Sequence, residues 1–136
     1  MIIIGADMVP TKSNYHLFTN DKIDDLVGKE LIDILKKSDF NIFNLELPLT
    51  DSNNCIDKLG ICLKAPKATI KAYKSLGISF LTLANNHIMD YGKQGLIDTI
   101  DVLNKANIAY AGIGANINEM KSSYVFESNG YKIGVY

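Results

Sequence analysis

The sequence predicts an α/β domain: a layered, largely parallel sheet with flanking helices and a C-terminal β-hairpin. Three observations predict it. Short apolar runs near residues 2–4, 40–45, 78–84 and 108–111 alternate with segments of helical periodicity. Each run stops at a small cluster of Gly, Asn, Asp or Glu, as strands do where they feed loops. Near the end, Asn129-Gly130 sits between two β-rich runs, the strongest short-range hairpin signal. Strands alternating with helices imply parallel pairing with right-handed crossovers.

Taken in order, Ile2-Ile3-Ile4 is bounded by Gly5 and reads as a strand covered on both faces. Val27, Leu31, Ile34 and Leu35 recur at helical spacing and predict a buried stripe. Phe40 to Leu45 is the second strand, ended by Glu46 and Pro48. Residues 50–64 hold Asp, Asn, Ser, Gly and both cysteines, and read as loop. Pro66 suits the first turn of a helix because its missing N–H needs no partner there. In that helix Ile70, Tyr73 and Leu76 face one way, and Gly77 ends it. Ile78 to Ala84 is the third strand. Gln94 to Ala106 is the third helix, with Leu96, Ile97, Ile100 and Leu103 on one face. Ile108 to Ala111 is the fourth strand, and a short helical turn opens near Asn118. The hairpin pairs 124–127 with 131–136.

Composition narrows the function. With 14 basic and 15 acidic residues the net charge is −1, and no basic stripe offers a footprint for nucleic acid. No apolar run reaches the roughly 18 residues that a membrane helix needs. Cys55 and Cys62 lack zinc-knuckle spacing and a framework pattern. They read as structural, in a chain more at home in a reducing compartment, with a disulfide left open. The location is therefore cytoplasmic, or extracytoplasmic if an export segment has been removed. The final strand ends on Tyr136 without a polar tail, so residues 1–136 are expected to be the N-terminal part of a longer domain.

Ligands of open α/β sheets bind at the carboxyl ends of the strands. Four polar groups fall there: Gly5-Ala6-Asp7, Asn44-Leu45-Glu46, Asn85-Asn86-His87 with Asp90, and Gly112-Ile113-Gly114-Ala115-Asn116. In a parallel sheet all four share one rim. Each has an ordinary explanation: Asp7 as a turn former, Glu46 as a solvated carboxylate, an asparagine as a helix cap. Gly112-x-Gly114 lacks the third glycine of a dinucleotide loop and serves a tight turn instead. His16 reads as packed or exposed. A capping turn does not account for a histidine and Asp90 beside the asparagines. Carboxylates and amides suit a hard divalent cation, and an imidazole next to it could protonate a leaving group if Asp90 folds back to orient it.

Three stretches carry a resemblance. Ile4-Gly5-Ala6-Asp7-Met8-Val9-Pro10-Thr11, Phe43-Asn44-Leu45-Glu46-Leu47-Pro48-Leu49-Thr50-Asp51 and Leu83-Ala84-Asn85-Asn86-His87-Ile88-Met89-Asp90-Tyr91-Gly92 resemble the CapA family of bacterial poly-gamma-glutamate capsule synthesis. That family is related to calcineurin-like metallophosphoesterases. The resemblance covers essentially the whole chain. It implies that Asp7, Glu46 and Asn86 are metal ligands, that His87 is the general acid or phosphate-contacting group, and that Asp90 supports His87. It implies a divalent metal (Mn, Mg, Fe or Zn), binuclear in the full-length protein, and a small-molecule or polymer substrate, a phosphoester or poly-gamma-glutamate. Met8-Val9 stand where phosphoesterases often carry a histidine, and the family's later histidine motifs would follow residue 136. On this reading the 136 residues alone bind metal weakly and turn over no phosphoester. The alternative is a non-catalytic accessory or polymer-binding domain of a capsule synthesis or export assembly. A third reading leaves the rim residues as turns and caps on a plain α/β domain.

Overall fold

A computed structural model describes residues 1–114 and 116–136; Ala115, in the fourth of the rim groups, lies outside the described residues. Strands β1 (Ile2–Met8), β2 (Phe40–Leu45), β3 (Phe80–Thr82) and β4 (Ala109–Ala111) form a parallel sheet in that order. The crossovers carry helices α1 (Tyr15–Thr19), α2 (Ile23–Leu26), α3 (Lys29–Lys37), α4 (Ile70–Ser75) and α5 (Gly92–Ala106). After a short helix α6 (Ile117–Met120), strands β5 (Tyr124–Ser128) and β6 (Tyr131–Val135) form a separate antiparallel hairpin. Asn129 and Gly130 both have positive φ, 51° and 78°, as the tight hairpin turn requires.

Because the strands follow one another in sequence order, crossovers of a single hand place every connecting helix on the same side. The core bears this out. Phe18, Ile32, Leu35, Tyr73, Leu76 and Leu103 from the helices share one cluster with Leu45, Leu81 and Leu83. The opposite face is covered at the amino ends of the strands by the hairpin, where Phe126 stacks on Phe40 at 3.7 Å and Tyr124 meets Phe80 at 5.2 Å. Its carboxyl end is left to polar side chains.

Three expectations are corrected. Ile4 is 77% exposed, so β1, an edge strand, is covered on one face along that stretch and not on both. In α3 the buried positions are Ile32 and Leu35, while Leu31 and Ile34 are about half exposed. In α5 the buried face is Gly95, Asp98, Thr99, Val102, Leu103 and Ala106, and Ile97 points to solvent. In α3 one apolar pair is buried in place of another, and in α5 Gly95, Asp98 and Thr99 take positions on the buried face. In α5 Thr99 accepts from the Leu49 amide at 2.9 Å, and Asp98 takes hydrogen bonds from Thr50, Lys67 and Gln94 at 2.5, 2.8 and 2.9 Å. These anchor the chain after β2 to α5, and a sequence stripe does not reveal them.

Buried polar groups are otherwise closely satisfied. Asn41 donates to the carbonyls of Leu35 and Gly77, 2.8 Å each, and so ties the ends of α3 and α4 to β2. Among the described residues Tyr73 is the exception: its buried hydroxyl has no partner.

Candidate functional site

The site begins with a change of step in β1. Ile4 pairs with Ile42 in β2, yet the next aligned residue is Asp7, opposite Asn44. Three steps along β1 match two along β2, so one extra residue is accommodated at Gly5-Ala6. Such a bulge turns the following side chains to the other face. It brings Asp7 onto the face of Asn44 and away from the core beneath Leu45. Gly5 leaves room there for the Phe43 ring: a Cβ would sit 2.0 Å from it, so the ring or the strand would have to shift.

Asn44 is the centre of the rim. Its Nδ2 donates to Asp7 Oδ1 at 2.8 Å and to Glu46 Oε2 at 2.6 Å. Its Oδ1 accepts from Thr82 Oγ1 at 3.1 Å and from Asn85 Nδ2 at 3.3 Å. The parallel register accounts for this, since Asp7, Asn44 and Thr82 occupy one row across β1, β2 and β3. One amide therefore joins the ends of three strands.

The turn after β3 is built by Asn85. Its Oδ1 accepts from the amides of His87 and Ile88 at 3.1 and 2.9 Å, and its Nδ2 donates to the Leu45 carbonyl at 2.8 Å. Asn86 is thereby turned outward, and its side chain is exposed. The same turn folds Asp90 back toward His87, with Nδ1 2.7 Å from Asp90 Oδ2. Asp90 is 1% exposed. Burial works to raise its carboxyl, and hydrogen bonds from Lys58, His87 and the Leu63 amide outweigh that and hold it below the usual carboxylate range. An ionised Asp90 requires the proton of a neutral His87 to reside on Nδ1, which leaves Nε2 as the free ring nitrogen.

Asp7 and Asn86 are exposed, Asn44, Glu46 and His87 are half-buried, and Asp90 is buried. Asn85 also lines an apolar cleft of about 440 Å³, with Leu83, Ile88, Leu96, Ile113 and Met120. Among the described residues, the fourth predicted group does not join the network. Asn116 caps α6 by accepting from the amides of Asn118 and Glu119, and Gly112, at φ 92°, passes so close to Ala84 that a Cβ would sit 2.8 Å away. Cys55 and Cys62 are joined in a disulfide with their Cα atoms 6.2 Å apart, instead of standing as two thiols.

Over residues 2–136 the chain matches the family described as bacterial capsule synthesis protein PGA_cap. The chain belongs to that family. It is 38% identical over 113 residues to the capsule biosynthesis protein CapA of Bacillus anthracis, across 80% of this chain and 27% of that protein. It is 33% identical over 118 residues to the PGA biosynthesis protein CapA of Bacillus subtilis, across 85% of this chain and 31% of that protein. A probable polyglutamine synthesis accessory protein of Mycobacterium tuberculosis is 35% identical over 80 residues, across 59% of this chain and 21% of that protein. The chain thus spans less than a third of the length of these relatives. The parallel sheet with helices and a terminal hairpin is consistent with a metallophosphoesterase-like fold.

Within this capsule synthesis family member, the structure joins Asp7 to Glu46 through Asn44 and pairs His87 with Asp90. Asn44 falls within the second rim group of the sequence, and the register shows it as the centre of the network. One residue of the site escapes a motif reading. Lys58, whose Nζ lies 2.5 Å from Asp90 Oδ1, sits in a loop 32 residues away with no local signal.

Proposed function

We propose that the protein serves the synthesis of an anionic capsular polymer of the poly-gamma-glutamate type, with its strand-end rim forming part of a metal-assisted, phosphoesterase-like hydrolase site. The carrying observation is the convergence of Asp7 and Glu46 on one amide, Asn44 Nδ2, on the rim that also bears the Asn86-His87 turn. The names of the Bacillus relatives support the polymer class.

The donor set suits a hard divalent cation. Asn44 occupies one oxygen of each carboxylate, while Asp7 Oδ2, Glu46 Oε1 and the Asn86 side chain have no hydrogen-bond partner among the described residues. Two carboxylates and an amide oxygen are the ligand types of Mg²⁺ or Mn²⁺. Among the described residues no group of three His, Cys, Asp or Glu side chains is placed to hold a metal, so this set is partial, with further ligands expected from the longer relatives' additional sequence. A cation bound there would acidify a water and offset phosphate charge. His87, oriented through Nδ1 by Asp90, would act from Nε2, and only the ring protonated on both nitrogens would give a proton to a leaving oxygen there.

The alternative is a non-catalytic accessory that uses the same rim to bind polymer. The accessory role by which the mycobacterial relative is named and the Met8-Val9 pair in place of a first-motif histidine favour it. His87→Ala and Asp7→Ala, made in the full-length protein, decide between them. Loss of phosphodiester hydrolysis with the fold intact supports the enzyme. Polymer output that persists in both variants, from a protein without hydrolytic activity, supports the accessory.

A further inference from the structure

The loop between Cys55 and Cys62 lies across the His87–Asp90 turn, and three of its contacts converge on one residue. The amide immediately after Cys55, that of Ile56, donates to the Asp90 carbonyl at 3.0 Å. The amide immediately after Cys62, that of Leu63, donates to Asp90 Oδ2 at 2.7 Å. Between them Lys58 reaches in, with Nζ 2.5 Å from Asp90 Oδ1 and 3.5 Å from His87 Nδ1. The disulfide fixes the spacing of the two amides, and the ring it closes holds Lys58 over the carboxylate.

We propose that Lys58 is a positioning residue of the His87–Asp90 pair, delivered by the disulfide-closed loop. This rests on the reading of His87 as the group that protonates a leaving oxygen. Asp90 Oδ1 has no other partner among the described residues, and a nearly inaccessible carboxylate oxygen without one is costly. With Lys58 in place both oxygens are committed: Oδ1 to the ammonium, Oδ2 to the Leu63 amide and the imidazole. Asp90 then cannot rotate, and the imidazole keeps its proton on Nδ1. Without Lys58 the carboxylate is free to turn away from the ring, and the proton redistributes toward Nε2, as in an unconstrained histidine.

The chain has two histidines, so ring ¹⁵N–¹H correlation spectra of the 136-residue protein resolve His87 against exposed His16 as an internal reference. At about pH 8 the parent should show His87 as the Nδ1–H form with a protected ring proton. Lys58→Met should lose that protected signal and shift the ring toward the Nε2–H form, with His16 unmoved. Lys58→Arg should restore it. Cys55→Ser/Cys62→Ser, which leaves Lys58 in the sequence but opens its loop, should move His87 in the same direction as Lys58→Met. An unchanged His87 tautomer in folded Lys58→Met and in the cysteine double variant would overturn the proposal. The readout needs no turnover. Tautomer loss in a protein without hydrolytic activity would leave the positioning role standing and remove the enzyme reading. An unmoved tautomer beside a hydrolysis-dead His87→Ala would do the reverse.

Discussion

Asn44 Nδ2 lies 2.8 Å from Asp7 Oδ1 across a strand pair that a bulge has set out of step. The same nitrogen holds Glu46, so two carboxylates that would repel one another share a donor. Asn44→Asp replaces that donor with a third anion. We expect a loss of about 1 kcal/mol or more in chelator, shrinking in high salt as screening grows. If the rim takes a divalent ion, Mn²⁺ at about a hundred times its Kd should return up to roughly 2.7 kcal/mol. Thermal melts with EDTA and with Mn²⁺ measure both effects, and a variant as stable as the parent in chelator would refute the bridging role.

Gly5→Ala tests the bulge. The added methyl would fall 2.0 Å from Phe43 Cε1, so the ring or the strand must yield. A cost of about 1–3 kcal/mol is expected. Displacement of β1 should also loosen the Asp7–Asn44 contact. Denaturant unfolding and the Asn44 side-chain amide signals would show the two together; a neutral substitution would mean that Phe43 simply turns aside.

Tyr73→Phe should be neutral or stabilising by up to about 1 kcal/mol, because the lost hydroxyl is buried without a partner. Its burial alone raises the phenol well above its ordinary range. A urea midpoint that falls by more than the error would point to a buried water bound to that hydroxyl.

Acid should weaken the anchor between the chain after β2 and α5. Burial works to raise the Asp98 carboxyl, but hydrogen bonds from Lys67, Thr50 and Gln94 and the Lys67 charge hold it below the usual range. A depressed folded pKa contributes stability that is fully present above the unfolded value, near about 3.9. That contribution is lost as pH falls through the lower folded value. Asp98→Asn should lower stability at neutral pH by about 1–3 kcal/mol and flatten the acid limb of the stability curve. An acid limb of unchanged slope would assign the effect to other carboxylates.

Strand β2 was legible to the residue because the run from Phe40 to Leu45 is ended by Glu46 and Pro48, and the hairpin because Asn129-Gly130 admits few other conformations. The faces of α3 and α5 were not legible in the same way. Leu31 and Ile34 are as apolar as Ile32 and Leu35, and only the position of the sheet decides which pair is buried. Asp7, Glu46, Asn86, His87 and Asp90 stood out because polar residues interrupt apolar strands there. Asn44 stood in the same rim group, but its bridging of Asp7 and Glu46 comes from a register that a bulge sets. Lys58 depends on a disulfide-closed loop folding across a turn distant in sequence, a relation no local pattern encodes.

In β2, Asn44 stands between Phe43 and Leu45, and the two kinds of residue look to opposite sides of a sheet whose helices all lie on one side. Neighbouring codons thus answer to different selective pressures. A change at Leu45 is judged by whether the domain holds together, and a change at Asn44 by what the rim can grip. Strand β2 thus divides two demands between adjacent residues: Leu45 serves the core, and Asn44 serves the network that it centres.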